Sequence, residues 1–115
     1  MSNVIIWHNP RCSKSRETLK LLKDNGVDPT VVTYLTEVPA KSEIRRTAKL
    51  LGVNAVGMMR TKEKLFRELG LAKDDSDDKL FAAMAENPVL IERPVVFANA
   101  KARMGRPPES VLEIL

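Results

Sequence analysis

Apolar and polar positions change their period three times along this chain. Asn3-Val4-Ile5-Ile6-Trp7 is a short, β-branched apolar run and predicts a buried strand. His8-Asn9-Pro10 ends it, because proline cannot donate to a ladder. From Ser13 to about Asn25 the spacing turns helical, with Leu19, Leu21 and Leu22 on a stripe and Gly26 placed to cap the C-terminus. Thr30-Val31-Val32-Thr33-Tyr34 predicts a second strand. Four helical segments follow. The first covers Ala40 to Leu51, with Ile44, Ala48 and Leu51 on one face and Gly52 as the stop. The second covers Ala55 to Met59, and the third Glu63 to Leu69 before Gly70. The fourth opens at Ser76, an N-cap followed by Asp77 and Asp78 at the positive helix end. It turns Leu80 and Met84 inward and stops at Asn87-Pro88. Pro94-Val95-Val96-Phe97 and Lys101 to Met104 predict two strands joined by a tight turn at Asn99-Ala100. Pro107-Pro108-Glu109 opens a closing helix with proline in its first turn.

A strand, helix and strand in that order predict a right-handed parallel βαβ unit. The whole order is β-α-β, helices, then β-β-α. It predicts an α/β, thioredoxin-like fold: a four-stranded mixed sheet with a helical insertion between the β-α-β and β-β-α parts. At 115 residues, 1–115 is expected to form a single domain. A hydrophobic fraction of 43% can supply its core, which excludes a disordered tail or a disulfide miniprotein. No apolar run approaches the roughly 18 residues of a membrane span. The first apolar stretch is too short for a signal-peptide core and has no basic residues before it. The expected location is therefore cytoplasmic, with no membrane partner.

The net charge of +4 points to anionic ligands. Aromatic residues at 4% are too few for base stacking, and Arg45-Arg46 is the only Lys/Arg doublet, so no nucleic acid is expected. A small anion fits this charge as well as a large one. Cys12 is the one cysteine and His8 the one histidine, which excludes an internal disulfide and a four-ligand zinc site; no metal is expected.

Cys12 falls between the end of the first strand and the start of the first helix. The first N–H groups of a helix lack internal partners and, with the helix dipole, favour negative charge. A thiol at such a place has its pKa lowered, and the thiolate is the nucleophile. Arg11, Lys14 and Arg16 add positive charge to the same loop. The segment from His8 to Arg16 can present several N–H groups to one tetrahedral anion. Residue type alone favours an inert, packed cysteine; its position and basic neighbours reverse that. His8 stands four residues before Cys12, and Pro10 keeps the two off a common helix face. It is either a partner of the thiolate or an ordinary strand-end histidine, and the sequence leaves both readings open.

The stretch Ile6-Trp7-His8-Asn9-Pro10-Arg11-Cys12-Ser13-Lys14-Ser15-Arg16 resembles the active-site opening of the ArsC-type, glutaredoxin-coupled arsenate reductases. The likeness continues through Thr33-Tyr34-Leu35, Leu69-Gly70-Leu71-Ala72, the run from Asn87 to Pro94, and Arg106-Pro107-Pro108-Glu109 onward to Leu115. It spans essentially the whole chain and looks most like the short YfgD-type members. The resemblance implies that Cys12 attacks arsenate to form a covalent adduct, that glutathione is the co-substrate reducing the arsenic, and that glutaredoxin clears the mixed disulfide. No bound cofactor is implied. It implies an oxyanion site made of Arg60, Arg93 and Arg106, with His8, Ser15 and Arg16 in support. Guanidinium stays charged and forms paired bonds to oxyanions. It also implies a cis bond at Arg93-Pro94. The loop departs from the best-known members at Ser13-Lys14, where those carry a small, Gly-containing pair.

Two rival readings accompany this one. A glutathione-linked thiol-disulfide oxidoreductase needs Cys12 but not the arginines. An Spx-like regulatory binding protein usually carries Cys-x-x-Cys, and here the third position after Cys12 is Ser15. Trp7, Met58 and Met59 read as packing, and Asp74-Asp75-Ser76-Asp77-Asp78 as a helix cap with a solvated loop.

Overall fold

The computed structural model describes residues 3–115. The chain divides into two compact units: the described residues up to Glu37 together with Arg93–Leu115, and Val38–Glu92. The second unit thus interrupts the first in sequence. Among the described residues no helix is long and apolar enough to cross a membrane.

The first unit holds a four-stranded sheet. Strands β1 (Ile5–Trp7) and β2 (Thr30–Val32) pair in parallel across helix α1 (Ser13–Asp24). Strand β3 (Val95–Ala98) pairs antiparallel with β1, and β4 (Lys101–Met104) antiparallel with β3, giving the order β2-β1-β3-β4. The sheet is therefore mixed, as the element order predicts. Ile6 stands opposite both Val31 and Val96. Ile6 and Val96 join Val4, Leu22, Ala98, Val111 and Ile114 in one buried cluster, with Leu19 and Val27 packed against it. Trp7 meets Phe97 edge-on, centroids 5.1 Å apart.

Several boundaries differ from the pattern, each for a local reason. Strand β2 stops at Val32 because Thr33 starts a turn: its carbonyl accepts from the Thr36 and Glu37 N–H groups, and its hydroxyl meets both of their side chains. The buried face of α1 is Ser15, Thr18 and Leu22 rather than the leucine stripe alone. Both polar members satisfy their hydrogen bonds locally. The closing helix after Pro107 is a 3-10 helix, Pro108–Ile114. Two successive prolines remove two N–H donors from its entry, and the Ser110 N–H bonds the Pro107 carbonyl in the tighter i to i+3 pattern. The β3–β4 turn puts Asn99 and Ala100 at φ 52° and 62°. These are the two positive angles of a type I′ turn, in which asparagine is common and alanine is not. The Asn99 Nδ2 also donates to the Ile114 carbonyl at 2.7 Å, tying the turn to the 3-10 helix.

The second unit is helical: α2 (Lys41–Leu51), a 3-10 turn (Ala55–Met58), α3 (Lys64–Glu68), α4 (Asp77–Glu86) and a further 3-10 turn (Pro88–Leu90). Gly52 ends α2 at φ 73°, where a Cβ would be strained. Ser76 caps α4 by accepting from the Lys79 N–H at 3.3 Å. Ile44, Ala48, Ala55, Met58, Leu80, Met84, Leu90 and Ile91 are buried in it. On the solvent side, Asp78 of α4 accepts from both Lys41 and Arg45 of α2 at 2.7 Å. The Arg45 guanidinium also lies 5.4 Å from the Phe81 ring centre. The Asp-rich stretch thus supplies the expected helix cap and, beyond that expectation, a surface clasp from Asp78 to α2.

Candidate active site

The end of β1 continues into a loop held almost entirely by its own residues. The His8 N–H still bonds the Val32 carbonyl at 2.9 Å, so the imidazole starts from a fixed strand position. The chain then closes on itself at Asn9. Its carbonyl accepts from the Cys12 N–H at 3.0 Å, its Oδ1 from the Arg11 N–H at 3.0 Å, and its own N–H donates to Ser15 Oγ at 3.0 Å. Arg16 adds a strap from its Nη1 to the Pro10 carbonyl at 3.0 Å. This folding delivers Cys12 to the N-cap of α1, where its carbonyl accepts the first helical bond from Arg16.

Cys12 is 8% exposed, and its side chain makes no capping bond. The first turn of α1 carries no acidic residue. Lys14, expected to add charge to the loop, is engaged by Glu17 at 3.5 Å. The cation that reaches the sulfur comes from 94 positions away: Arg106 Nη2 stands 3.8 Å from Cys12 Sγ. The same guanidinium donates from Nε to the Arg93 carbonyl at 2.8 Å. Arg106 is therefore aimed by the backbone of a second sequence-predicted arginine.

Arg93-Pro94 is cis, as the resemblance implies; Arg106-Pro107 is cis too, which the sequence did not announce. Gly105 explains how the two segments lie so close. A Cβ there would stand 2.7 Å from Pro94 Cγ and 3.1 Å from Thr18 Cγ2, with Thr18 Oγ1 closer still. The Gly105 N–H bonds the Pro94 carbonyl at 3.0 Å.

His8 is buried, with its Nδ1 2.7 Å from Ser15 Oγ. Burial pushes its pKa down from 6.5, and the positive charges of Arg16 and Lys23 push it the same way. Both effects favour the neutral imidazole over the charged one.

The structure thus brings Cys12, Arg93 and Arg106 into one contact chain, with His8 in the loop that presents Cys12 and Ser15 and Arg16 bonded to that loop from the first turn of α1. Arg60 belongs to the second unit. Its N–H donates to the Leu90 carbonyl at 2.8 Å, and its guanidinium pairs with Glu63 at 3.0 Å. The sequence reading overlooked Asn9, Thr18 and Gly105. Asn-Pro is a turn signal that could have marked Asn9. A lone glycine between a strand and Arg-Pro could have marked a close backbone approach.

The model of the ArsC family matches residues 7–114. YfgD of Escherichia coli (strain K12) is 56% identical over 114 residues, covering 97% of this chain and 96% of that protein. An arsenate reductase of Haemophilus influenzae is 50% identical over 115 residues, covering 98% and 99%. Among solved structures, an arsenate reductase from Vibrio cholerae superposes with a TM-score of 0.94 at 56% identity, covering 98% of both chains.

Proposed function

The chain belongs to the ArsC family, and from that premise we propose that it is an oxidoreductase that reduces arsenate to arsenite with thiols. The observation that carries the reading is the Arg106 guanidinium against Cys12 Sγ at the N-terminus of a twelve-residue helix. A nucleophile, a fixed cation and unpartnered helix N–H groups at one point suit chemistry on a small oxyanion.

In this reading the Cys12 thiolate attacks arsenic. An S–As bond forms and one arsenate oxygen leaves as water after protonation. A glutathione thiolate then attacks Cys12 Sγ. An S–S bond forms, the S–As bond breaks, and its electron pair stays on arsenic, which leaves as arsenite. The two electrons come from two thiols, one of Cys12 and one of glutathione. Cys12 is the only cysteine of the chain, so the resolving thiol must come from outside. Glutaredoxin, or a thiol donor of its class, would reduce the mixed disulfide. Arg93 and Arg106 would hold the oxyanion and balance the charge that builds on it. Arg60 enters this assignment only through its place in the family pattern.

The test is arsenate-dependent oxidation of NADPH in the presence of glutathione, glutaredoxin and glutathione reductase. The parent is expected to show it, Cys12→Ser to abolish it, and Arg60→Ala to lower it. A parent with no arsenate-dependent signal refutes the proposal. If Cys12→Ser loses a disulfide-reducing activity while Arg60→Ala and Arg106→Ala lose nothing, a glutathione-linked thiol-disulfide oxidoreductase takes its place.

A further inference from the structure

Ser15 sits in the buried face of α1 with no exposed surface. Its oxygen is 3.0 Å from the Asn9 N–H and 2.7 Å from His8 Nδ1. A backbone N–H can only donate, so Ser15 Oγ is the acceptor in the first contact. The hydroxyl proton still needs an acceptor, and a buried hydroxyl without one is disfavoured. Among the described residues, the acceptor the structure gives Ser15 is His8 Nδ1. Nδ1 must then carry its lone pair, and the single proton of the neutral ring must reside on Nε2.

We infer that Ser15 is a positioning residue that locks His8 as the Nε2–H tautomer, through a relay running from the Asn9 N–H to the Ser15 hydroxyl to Nδ1. The direction of the relay is set by the backbone, because its first member cannot reverse. The imidazole accordingly offers the surroundings one N–H donor and no basic nitrogen, since its basic nitrogen is occupied by Ser15. Burial of the ring, and after it the positive charges of Arg16 and Lys23 of α1, favour the neutral form in which a tautomer is defined. One consequence rests on the arsenate reading: His8 would serve that chemistry by donating a hydrogen bond from Nε2, not as a base. The tautomer itself does not depend on what Cys12 attacks.

His8 is the only histidine, so its ring can be read without assignment ambiguity. The experiment is long-range ¹H–¹⁵N correlation of the uniformly labelled full chain, titrated downward from pH 7.5. Wild type is expected to give one pattern, with protonated Nε2 and unprotonated Nδ1. Ser15→Ala is expected to draw the two ring-nitrogen shifts together as both tautomers populate. It should also move the His8 titration midpoint upward, because the neutral ring loses a donor. Ser15→Thr keeps the hydroxyl and should restore both. An Nδ1–H pattern or an averaged pattern in wild type overturns the inference, and that measurement needs no variant to fold. So does a Ser15→Ala spectrum indistinguishable from wild type. Neither result touches arsenate turnover, whose failure would be seen separately in the NADPH assay.

Discussion

Gly105→Ala adds one methyl group where the structure has no room for it. Thr18 cannot retreat easily: it is buried, and its Oγ1 donates to the Lys14 carbonyl at 2.8 Å. Pro94 is buried as well, and its carbonyl holds the Gly105 N–H. The new Cβ would stand 2.7 Å from Pro94 Cγ and closer than that to Thr18 Oγ1, so two fixed neighbours must both move. Overpacking of this kind costs about 1–3 kcal/mol, and two immobile neighbours place the expectation in the upper half, about 2–3 kcal/mol. The unfolding entropy of a chain of 115 residues is about 0.24 kcal/mol/K near the transition, which converts the cost to a fall in Tm of about 8–12 °C. Thermal denaturation followed by circular dichroism measures it directly. Thr18→Ala removes two of the three clashing atoms, so the double variant should lose about 1 kcal/mol less than the sum of the singles. A Gly105→Ala protein melting within about 2 °C of the parent, or strict additivity with Thr18→Ala, would refute the close approach that brings Arg106 to Cys12.

Arg106→Lys keeps a charge but not a fork that reaches both the Arg93 carbonyl and the sulfur. Arsenate-dependent kcat should fall by about 10²–10³, as it does when a fixed oxyanion donor is lost, with little change in Tm. Ala100→Gly relieves a positive φ in the β3–β4 turn and should raise stability by up to about 1 kcal/mol in urea denaturation. Leu80→Ala, at a site with no exposed surface, should cost about 2–5 kcal/mol by the same measurement. For His8, the folded pKa lies below 6.5, so the unfolded chain takes up the proton first and stability falls as the pH drops below about 6.5, levelling off once the folded ring is also charged. The urea midpoint followed from about pH 7.5 to 5 should show this decline, and His8→Gln should flatten it. Asp75 and Asp78, held below 3.8 by hydrogen bonds from Ala72 and from Lys41 respectively, act only further toward acid.

Most of the architecture was legible because it is written in local periodicity. The β4 range Lys101–Met104, the Ser76 cap of α4 and the stop at Gly52 follow from single residues whose backbone needs are unambiguous. The 3-10 form of Pro108–Ile114 was not, since 3-10 and α segments share nearly the same apolar spacing. At the site, Cys12 was placed by the strand-to-helix joint alone. The polar inner face of α1 escaped because periodicity counts Ser15 and Thr18 as outward-facing. Only the partners that fold over them, His8 and Asn9 for one and the Lys14 carbonyl for the other, reveal why they turn in. No period or composition could show that Arg106 reaches the sulfur, because that contact depends on Gly105 being bare.

The interruption of the first unit by Val38–Glu92 bears on how the protein is made. A ribosome releases the segment carrying Cys12 long before the one carrying Arg106, 94 positions later. Closing so long a loop carries an entropic cost of about 4 kcal/mol before any contact offsets it. Until those later segments are made, the nascent chain carries a thiol without its guanidinium, and β1 without its β3 neighbour. The sulfur and its guanidinium can meet only after the segment carrying Arg106 has emerged.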